Sequence, residues 1–299
     1  MTATPLISIA MPIFNTEKTL ASAVRSVLFQ SYVEWELLLI DDGSTDSTLS
    51  VARKFCDPRI RLVADGRRAG LAARLNQAID LSKGKYLARM DGDDICFPER
   101  LERQVHYLED NPSVDLLGTR AIVFTGDGAV RGVRPFRESH ADICEQPWVG
   151  FYLPHPTWMG KLEWFRRHRY RVDVFRAEDQ DLLMRTYDSS TFTCLPMVLL
   201  GYREGAFSIW KTVPARFSLS KSLIRESIRR GNYWCVFIGP LLQAGKMLAD
   251  ILATVSGLSR LVLQRRAVPV GEVEIFEWGK VLARLQIVSH DEFIGTSGR

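Results

Sequence analysis

The sequence predicts an α/β fold: a mostly parallel sheet flanked by helices and followed by a helical tail. Two observations lead there. Short apolar runs recur roughly 25–30 residues apart with helix-patterned segments between them, a spacing that suits crossover helices between parallel strands. Beyond about residue 215 the strand-like runs stop, and long apolar and basic stretches replace them. The chain accordingly divides into 1–110, 111–214 and 215–299.

In order, Leu6–Met11 reads as a buried strand, and Asn15 or Thr16 caps a helix striped by Leu20, Val24, Val27 and Leu28. Glu36–Asp41 is a second strand, stopped by Asp42-Gly43-Ser44-Thr45, and Asp46 or Ser47 caps a short helix. Ile60–Ala64 makes a third strand. Leu71, Leu75, Ala78 and Ile79 stripe another helix, closed by Gly84 as a left-handed C-terminal residue. Tyr86–Met90 is the fourth strand, and Pro98 opens a helix running to Asp110. After Asn111 the alternation weakens. Val114–Leu117, Ala121–Phe124 and Val130–Pro135 read as short strands, the last two forming a hairpin around Gly126-Asp127-Gly128. A helix follows Glu178-Asp179-Gln180-Asp181, Leu195–Tyr202 returns to strand, and residues 205–215 read as a mobile loop.

Ligands of parallel sheets sit outside the carboxyl ends of the strands. The segments after strands one, two and four therefore share one edge, and they bring Phe14, Asp42 and the cluster Asp91, Asp93, Asp94 to one crevice. Acids this close raise one another's pKa unless a cation sits among them. Carboxylate and phosphate oxygens are what hold Mg²⁺ or Mn²⁺ beside a nucleotide; the plain alternative is a solubilising loop that caps the next helix. No glycine-rich turn follows strand one, which disfavours a dinucleotide oxidoreductase and a P-loop NTPase.

Composition excludes other classes. The five cysteines are scattered without a CxxC, and the five histidines show no HExxH spacing, so neither a disulfide frame nor a zinc site is expected. The start, MTATPLISIAMP, has no basic leader region and reads as no signal peptide. The net charge of +4 is uneven: residues 215–270 hold nine Lys/Arg against Glu226 and Asp250. No nucleic-acid motif accompanies them.

Four segments together carry a family resemblance. SIAMPIFNTEKTLASAVRSVLFQSYVEWELLLIDDGSTDST and GLAARLNQAIDLSKGKYLARMDGDDICFPERLERQ, followed by HPTWM and RAEDQDLLMR, resemble the family 2 inverting glycosyltransferases with the GT-A fold, a Rossmann-like nucleotide-diphospho-sugar transferase architecture. The resemblance covers residues 6–204. It implies that Pro12 and Phe14 line the nucleotide base, that Asp42 accepts a hydrogen bond from it, and that Asn76 and Asp91 are further nucleotide contacts. It also implies that Asp91 and Asp93 hold Mn²⁺ or Mg²⁺ at the donor diphosphate, that Asp179 is the catalytic base, and that His155 and Glu178 face the acceptor. Many relatives carry a histidine soon after the Tyr-Arg matching Tyr202-Arg203; here the sequence reads REGAFSIW, which leaves the third metal ligand open.

The expected reaction moves a sugar from a nucleotide-diphosphate donor, UDP by preference, to a glycan or polyprenyl-diphosphate-linked acceptor in surface-polysaccharide assembly. A non-catalytic nucleotide-sugar-binding scaffold subunit is the alternative. Arg166, Arg167, Arg169 and Arg171 are either a solvated face or a basic wall for a phosphate-bearing acceptor. In the tail, Leu241, Leu248, Ile251, Leu252, Val255, Leu258 and Val262 keep near-helical spacing among basic residues. That pattern suits a segment lying in a membrane interface through 216–266, on the cytoplasmic face. Packing on the catalytic domain or a homodimer contact is the other reading. Gly271–Ser289 reads as one more amphipathic helix, with Trp278, Val281, Leu282 and Leu285 on one side.

Overall fold

The computed structural model describes residues 4–205, 208–256 and 267–295, with side chains to 285. The strands β1 (Ile7–Ile13), β2 (Trp35–Asp41), β3 (Ile60–Val63) and β4 (Tyr86–Arg89) pair in parallel in the order β3-β2-β1-β4. The helices α1 (Leu20–Leu28), α2 (Thr48–Ala52) and α3 (Leu71–Leu81) are the crossovers between them. Alternation along the strands builds two cores. Ile9, Met11, Leu37 and Leu39 join Leu20, Val24 and Val27 of α1 on one face, while Ala10, Leu38 and Ile40 join Leu75, Ala78 and Ile79 of α3 on the other.

The sheet then changes character. β5 (Ile95–Cys96) and α4 (Arg100–Asp110) lead to β6 (Leu116–Phe124), β7 (Val130–Val133), α5 (His140–Ile143), β8 (Met159–Lys161), α6 (Leu162–Arg167), α7 (Glu178–Thr186) and β9 (Phe192–Arg203). Among the described residues, nine strands form one sheet that continues from β4 through β8, β6 and β9 to β5, with β7 beside β6. β8 is antiparallel to β4 and β6, whereas β6 and β9 run parallel. Among the described residues, three helices follow β9: α8 (Ile209–Arg229), α9 (Tyr233–Val255) and α10 (Glu272–Gly295).

Several local expectations shift. The two strands expected at 114–117 and 121–124 are one strand, β6, irregular where Arg120 meets β9 and where Val123 and Phe124 meet β7. Gly84 is not left-handed: a Cβ there would lie 2.6 Å from the Leu6 carbonyl, so close backbone approach requires glycine, and α3 ends at an extended Ser82. Neither Asn15 nor Thr16 is the cap residue of α1, which is Thr19. Asn15 instead adopts a φ of 50° and hydrogen-bonds Ser44 and Thr45 in the neighbouring loop. α4 begins at Arg100, two residues after Pro98. Within the expected loop of 205–215, α8 starts at Ile209, and a boundary at 214 falls on Pro214 inside that helix. Leu258, Arg260, Val262, Arg265 and Arg266 lie outside the described residues. The last amphipathic helix is present as α10: Trp278, Val281 and Leu285 pack with Phe124, Ile95 and Phe97 over the far end of the sheet.

Candidate active site

The loops after β1, β2 and β4 meet as their parallel pairing demands. The Asp42 amide donates to the Ile13 carbonyl at 2.9 Å, and the Thr19 hydroxyl donates to the Gly92 carbonyl at 3.1 Å. Asp41 caps the turn by accepting from the Gly43 and Ser44 amides, which frees Asp42 to point elsewhere. The Asp42 carboxylate accepts from the amides of Ala69 and Gly70 and from Arg74 Nε. Pro12 is buried within β1, and the half-buried ring of Phe14 lies 4.2 Å beneath the Arg68 guanidinium.

Asp91, Asp93 and Asp94 each offer a carboxylate oxygen within 4.8 Å of the others. Buried Arg89 donates to Asp91. Asp94 accepts from the Arg203 amide at 2.9 Å through one oxygen, while its buried second oxygen has no partner among the described residues. Arg203 Nε donates to the Asp93 carbonyl at 2.8 Å. Burial, then the Asp91 charge, pushes the Asp93 carboxyl up to about 6, and burial with both neighbours pushes Asp94 up as well. Three hard oxygens, one of them orphaned, fit a divalent cation. Asp94 supplies a third carboxylate where the sequence left that ligand open.

A cavity of about 970 Å³ opens beside this cluster. Asp91, His155, Glu178 and Asp179 all line it, so the structure brings the acid-cluster side and the α7 carboxylates to one space. Asp179 is half-buried beside the first turn of α7; burial raises its carboxyl, opposed by the Gln180 amide and side chain. Glu178 is buried with one oxygen that has no partner among the described residues, and burial followed by the Asp179 charge lifts it to about 7. His155 Nε2 lies 2.9 Å from the Tyr170 hydroxyl, and burial, then Arg89, holds the imidazole neutral, well below its usual range. Phe14, Asp42, Asp93 and Asn76 do not line this cavity. The Asn76 amide is tied both ways to the Tyr170 main chain, at 2.8 and 3.0 Å.

The sequence missed Arg89, whose signal is an arginine inside an otherwise apolar strand directly before the acids; two of its nitrogens are buried with no partner among the described residues. Of the arginines read as either a solvated face or a basic wall, Arg166 pairs with Glu163, Arg169 with Asp80, and Arg171 with Asp181 and Glu226, while Arg167 donates to the Glu163 carbonyl. The cations that line the cavity are Arg89 of β4 and, gathered from distant elements, Arg134, Arg137, Arg176, Arg216 and Lys246.

Residues 8–169 match the family model for glycosyl transferase family 2. A Bacillus subtilis (strain 168) protein named as glycosyltransferase EpsE is 44% identical over 197 residues, covering 63% of this chain and 69% of that one. An Escherichia coli UDP-Glc:alpha-D-GlcNAc-diphosphoundecaprenol beta-1,3-glucosyltransferase, WfgD, is 32% identical over 145 residues, 48% of this chain and 57% of its own length. The S. aureus TarS 1-349 complex with UDP-GlcNAc superposes with a TM-score of 0.61 at 18% identity, covering 94% of this chain and 80% of that one. The mannosyltransferase PcManGT from Pyrobaculum calidifontis, in complex with GDP-Man and Mn²⁺, gives 0.56 at 16% identity, with 94% and 86% covered. At those identities the two structures establish the GT-A fold.

Proposed function

Since the chain belongs to glycosyl transferase family 2, we propose that it moves a sugar, with inversion, from a UDP-sugar to a glycan or polyprenyl-diphosphate-linked acceptor in surface-polysaccharide assembly, at the cytoplasmic face of a membrane that it meets through 216–266. The observation that carries this reading is one cavity lined by both Asp91 and Asp179. On this reading the base lies between Pro12, Phe14 and Asp42, with Asn76 and Asp91 as further nucleotide contacts. Phe14 already carries a flat guanidinium over its ring, the stacking geometry a base would use.

Asp91, Asp93 and Asp94 would hold Mn²⁺ or Mg²⁺, which when bound supplies Lewis-acid stabilisation of diphosphate charge. The chain's own residues do the rest. Asp179 takes the proton from the acceptor hydroxyl as that oxygen bonds to the anomeric carbon, and the carbon–oxygen bond to the diphosphate breaks with its electron pair leaving on the phosphate. Burial keeps Asp179 a stronger base than an exposed aspartate. His155, neutral and fixed to Tyr170, and Glu178, protonated near neutral pH, can both donate or accept hydrogen bonds at the acceptor without adding charge.

A thermal-shift screen of nucleoside diphosphates and UDP-sugars, with and without Mn²⁺, tests the donor half: UDP compounds should stabilise the protein, more so with Mn²⁺. Release of UDP on adding polyprenyl-diphosphate-linked acceptor tests transfer. Binding without turnover on any acceptor extract would favour the scaffold reading; no UDP binding would defeat both.

A further inference from the structure

The cavity wall carries both signs of charge: Asp91, Glu178, Asp179 and Asp250 line it, and so do Arg89, which pairs with Asp91, and Arg134, Arg137, Arg176 and Lys246. Arg216 is also in the wall, but it is held by Asp250 at 2.6 Å. Among the described residues, none of Arg134, Arg137, Arg176 and Lys246 has a carboxylate at ion-pair distance. Arg134 lies over the Tyr202 ring and Arg137 over Tyr152, while Lys246 donates only to the Val149 carbonyl at 3.2 Å. Arg176 keeps a left-handed φ of 60° two residues ahead of Glu178. Burial, then Arg216, lowers the Lys246 pKa, a cost that an anion beside it would relieve.

The helix that contributes Lys246 is polar inward and apolar outward. On α9, Gln243 and Asp250 are buried and Lys246 half-buried, all turned to the cavity side, where Arg216 and Val149 meet them. Its outward stripe, Trp234, Phe237, Leu241, Leu248, Leu252 and Val255, is 57–82% exposed. By length and composition α9 could cross a membrane, yet its polar side is committed to the protein body. Every exposed charge on α8 and α9 is positive: Lys211, Lys221, Arg225 and Arg229 face out, while Glu226 and Asp250 are buried. That combination complements an anionic lipid surface.

We propose that the cations of the cavity wall that have no carboxylate at ion-pair distance, Lys246, Arg137 and Arg176, form a diphosphate subsite for a lipid-linked acceptor, with the outer face of α9 as the surface along which the lipid runs. The inference rests on the sugar-transfer reading of the acid cluster and specifies the acceptor. Asp91, Asp93 and Asp94 would hold a dication for the donor diphosphate; a second diphosphate needs its own cations, and guanidinium and ammonium groups without a carboxylate supply them. The apolar stripe lies on the opposite side of the helix that bears Lys246, so one helix presents a charged head-group contact and a hydrocarbon contact.

The test uses the full chain with saturating UDP and excess Mg²⁺, titrated calorimetrically with farnesyl diphosphate and with inorganic pyrophosphate. Farnesyl diphosphate should bind alongside UDP, with pyrophosphate about tenfold or more weaker. Lys246→Ala combined with Arg137→Ala should weaken farnesyl diphosphate by about tenfold or more while UDP affinity stays within about twofold. Arg176→Ala, at an exposed position, gives the same readout should the double variant not fold. Mutual exclusion of farnesyl diphosphate and UDP, equal affinity for pyrophosphate, or unchanged binding by these variants overturns the proposal. Failure of UDP to bind the wild-type chain would strike the sugar-transfer reading instead, and the farnesyl diphosphate titration without UDP would still decide the subsite.

Discussion

The acid cluster and the cations of the cavity wall are built by opposite means. Asp91, Asp93 and Asp94 come from one short loop off β4, fixed by the parallel pairing of β4 with β1 and by Arg203 of β9. Most of the cations come from separate elements: Arg134 and Arg137 from the stretch after β7, Arg176 from the loop before α7, and Arg216 and Lys246 from the helices α8 and α9. The contiguous acids repel one another and depend on burial, hydrogen bonds and a counter-charge to stay in place; the separated cations need no such support, and each can be lost alone. The acidic side should therefore respond to substitution steeply, and the basic side in small, independent steps.

The largest effect is expected at the base. Asp179→Asn keeps the shape and removes the proton acceptor, so transfer should fall about 10²–10⁴-fold while UDP affinity, measured by calorimetry, stays near wild type. Turnover within threefold of wild type would remove Asp179 from the mechanism.

Next comes the support behind the acids. Trp278 of α10 packs 4.6 Å from the Phe124 ring and 5.8 Å from Phe97, and its ring occupies the space that a side chain at Gly201 would need. Gly201 lies two residues before Arg203, so α10 braces the strand that positions Asp93 and Asp94. Trp278→Ala should cost about 3–5 kcal/mol of stability, read by urea denaturation, and should weaken Mn²⁺ retention beyond what a folded-fraction correction explains. If the stability loss came with unaltered Mn²⁺ affinity, the two ends of this support would be independent.

Much of the acidic side was legible because its information is local. Residues 1–110 repeat strand and helix at a regular interval, so the edge shared by Phe14, Asp42 and Asp91 follows from pairing rules alone. The three acids are adjacent in sequence, and Asp179 and Glu178 stand at a helix start. What escaped depends on long-range register. Arg203 reaches Asp94 across 109 positions, which only the β5–β9 pairing reveals. A solvated face and a basic wall stayed equally open for Arg169 and Arg171 because their partners Asp80 and Glu226 are far away in sequence. The strand irregularity at Arg120 and the close approach at Gly84 are likewise tertiary, and local patterning read them as a break and a helix cap.

A smaller effect tests the electrostatics of the acidic side by pH. Glu178 binds its proton up to about pH 7 in the fold, against an ordinary glutamate near 4.3. Between those values the folded state holds a proton that the unfolded state has lost, so stability falls as pH rises across the window and levels off above it. Glu178→Gln cannot lose a proton. It should match the wild type at pH 4.5 and be more stable at pH 7.5 by on the order of 1–3 kcal/mol, measured by urea denaturation at both pH values. Equal stability differences at the two pH values would mean that Glu178 is not held protonated.

The smallest step belongs to the basic surface. Lys221 is exposed on α8, its ammonium 5.2 Å from the exposed Phe217 ring. Near an anionic bilayer one such charge contributes about 1 kcal/mol, so Lys221→Ala should lower partition onto phosphatidylglycerol vesicles by roughly fivefold at low salt. In 0.5 M NaCl screening shortens the reach of exposed charge to a few ångströms, and the difference from wild type should shrink. Residual binding there comes from the apolar stripe, which Phe237→Asp with Leu241→Asp should abolish in the same flotation assay. Salt-independent loss at Lys221 would mean that the residue packs against a surface instead of neutralising one, and the outward faces of α8 and α9 would then fit a second copy of the chain better than a lipid head-group layer.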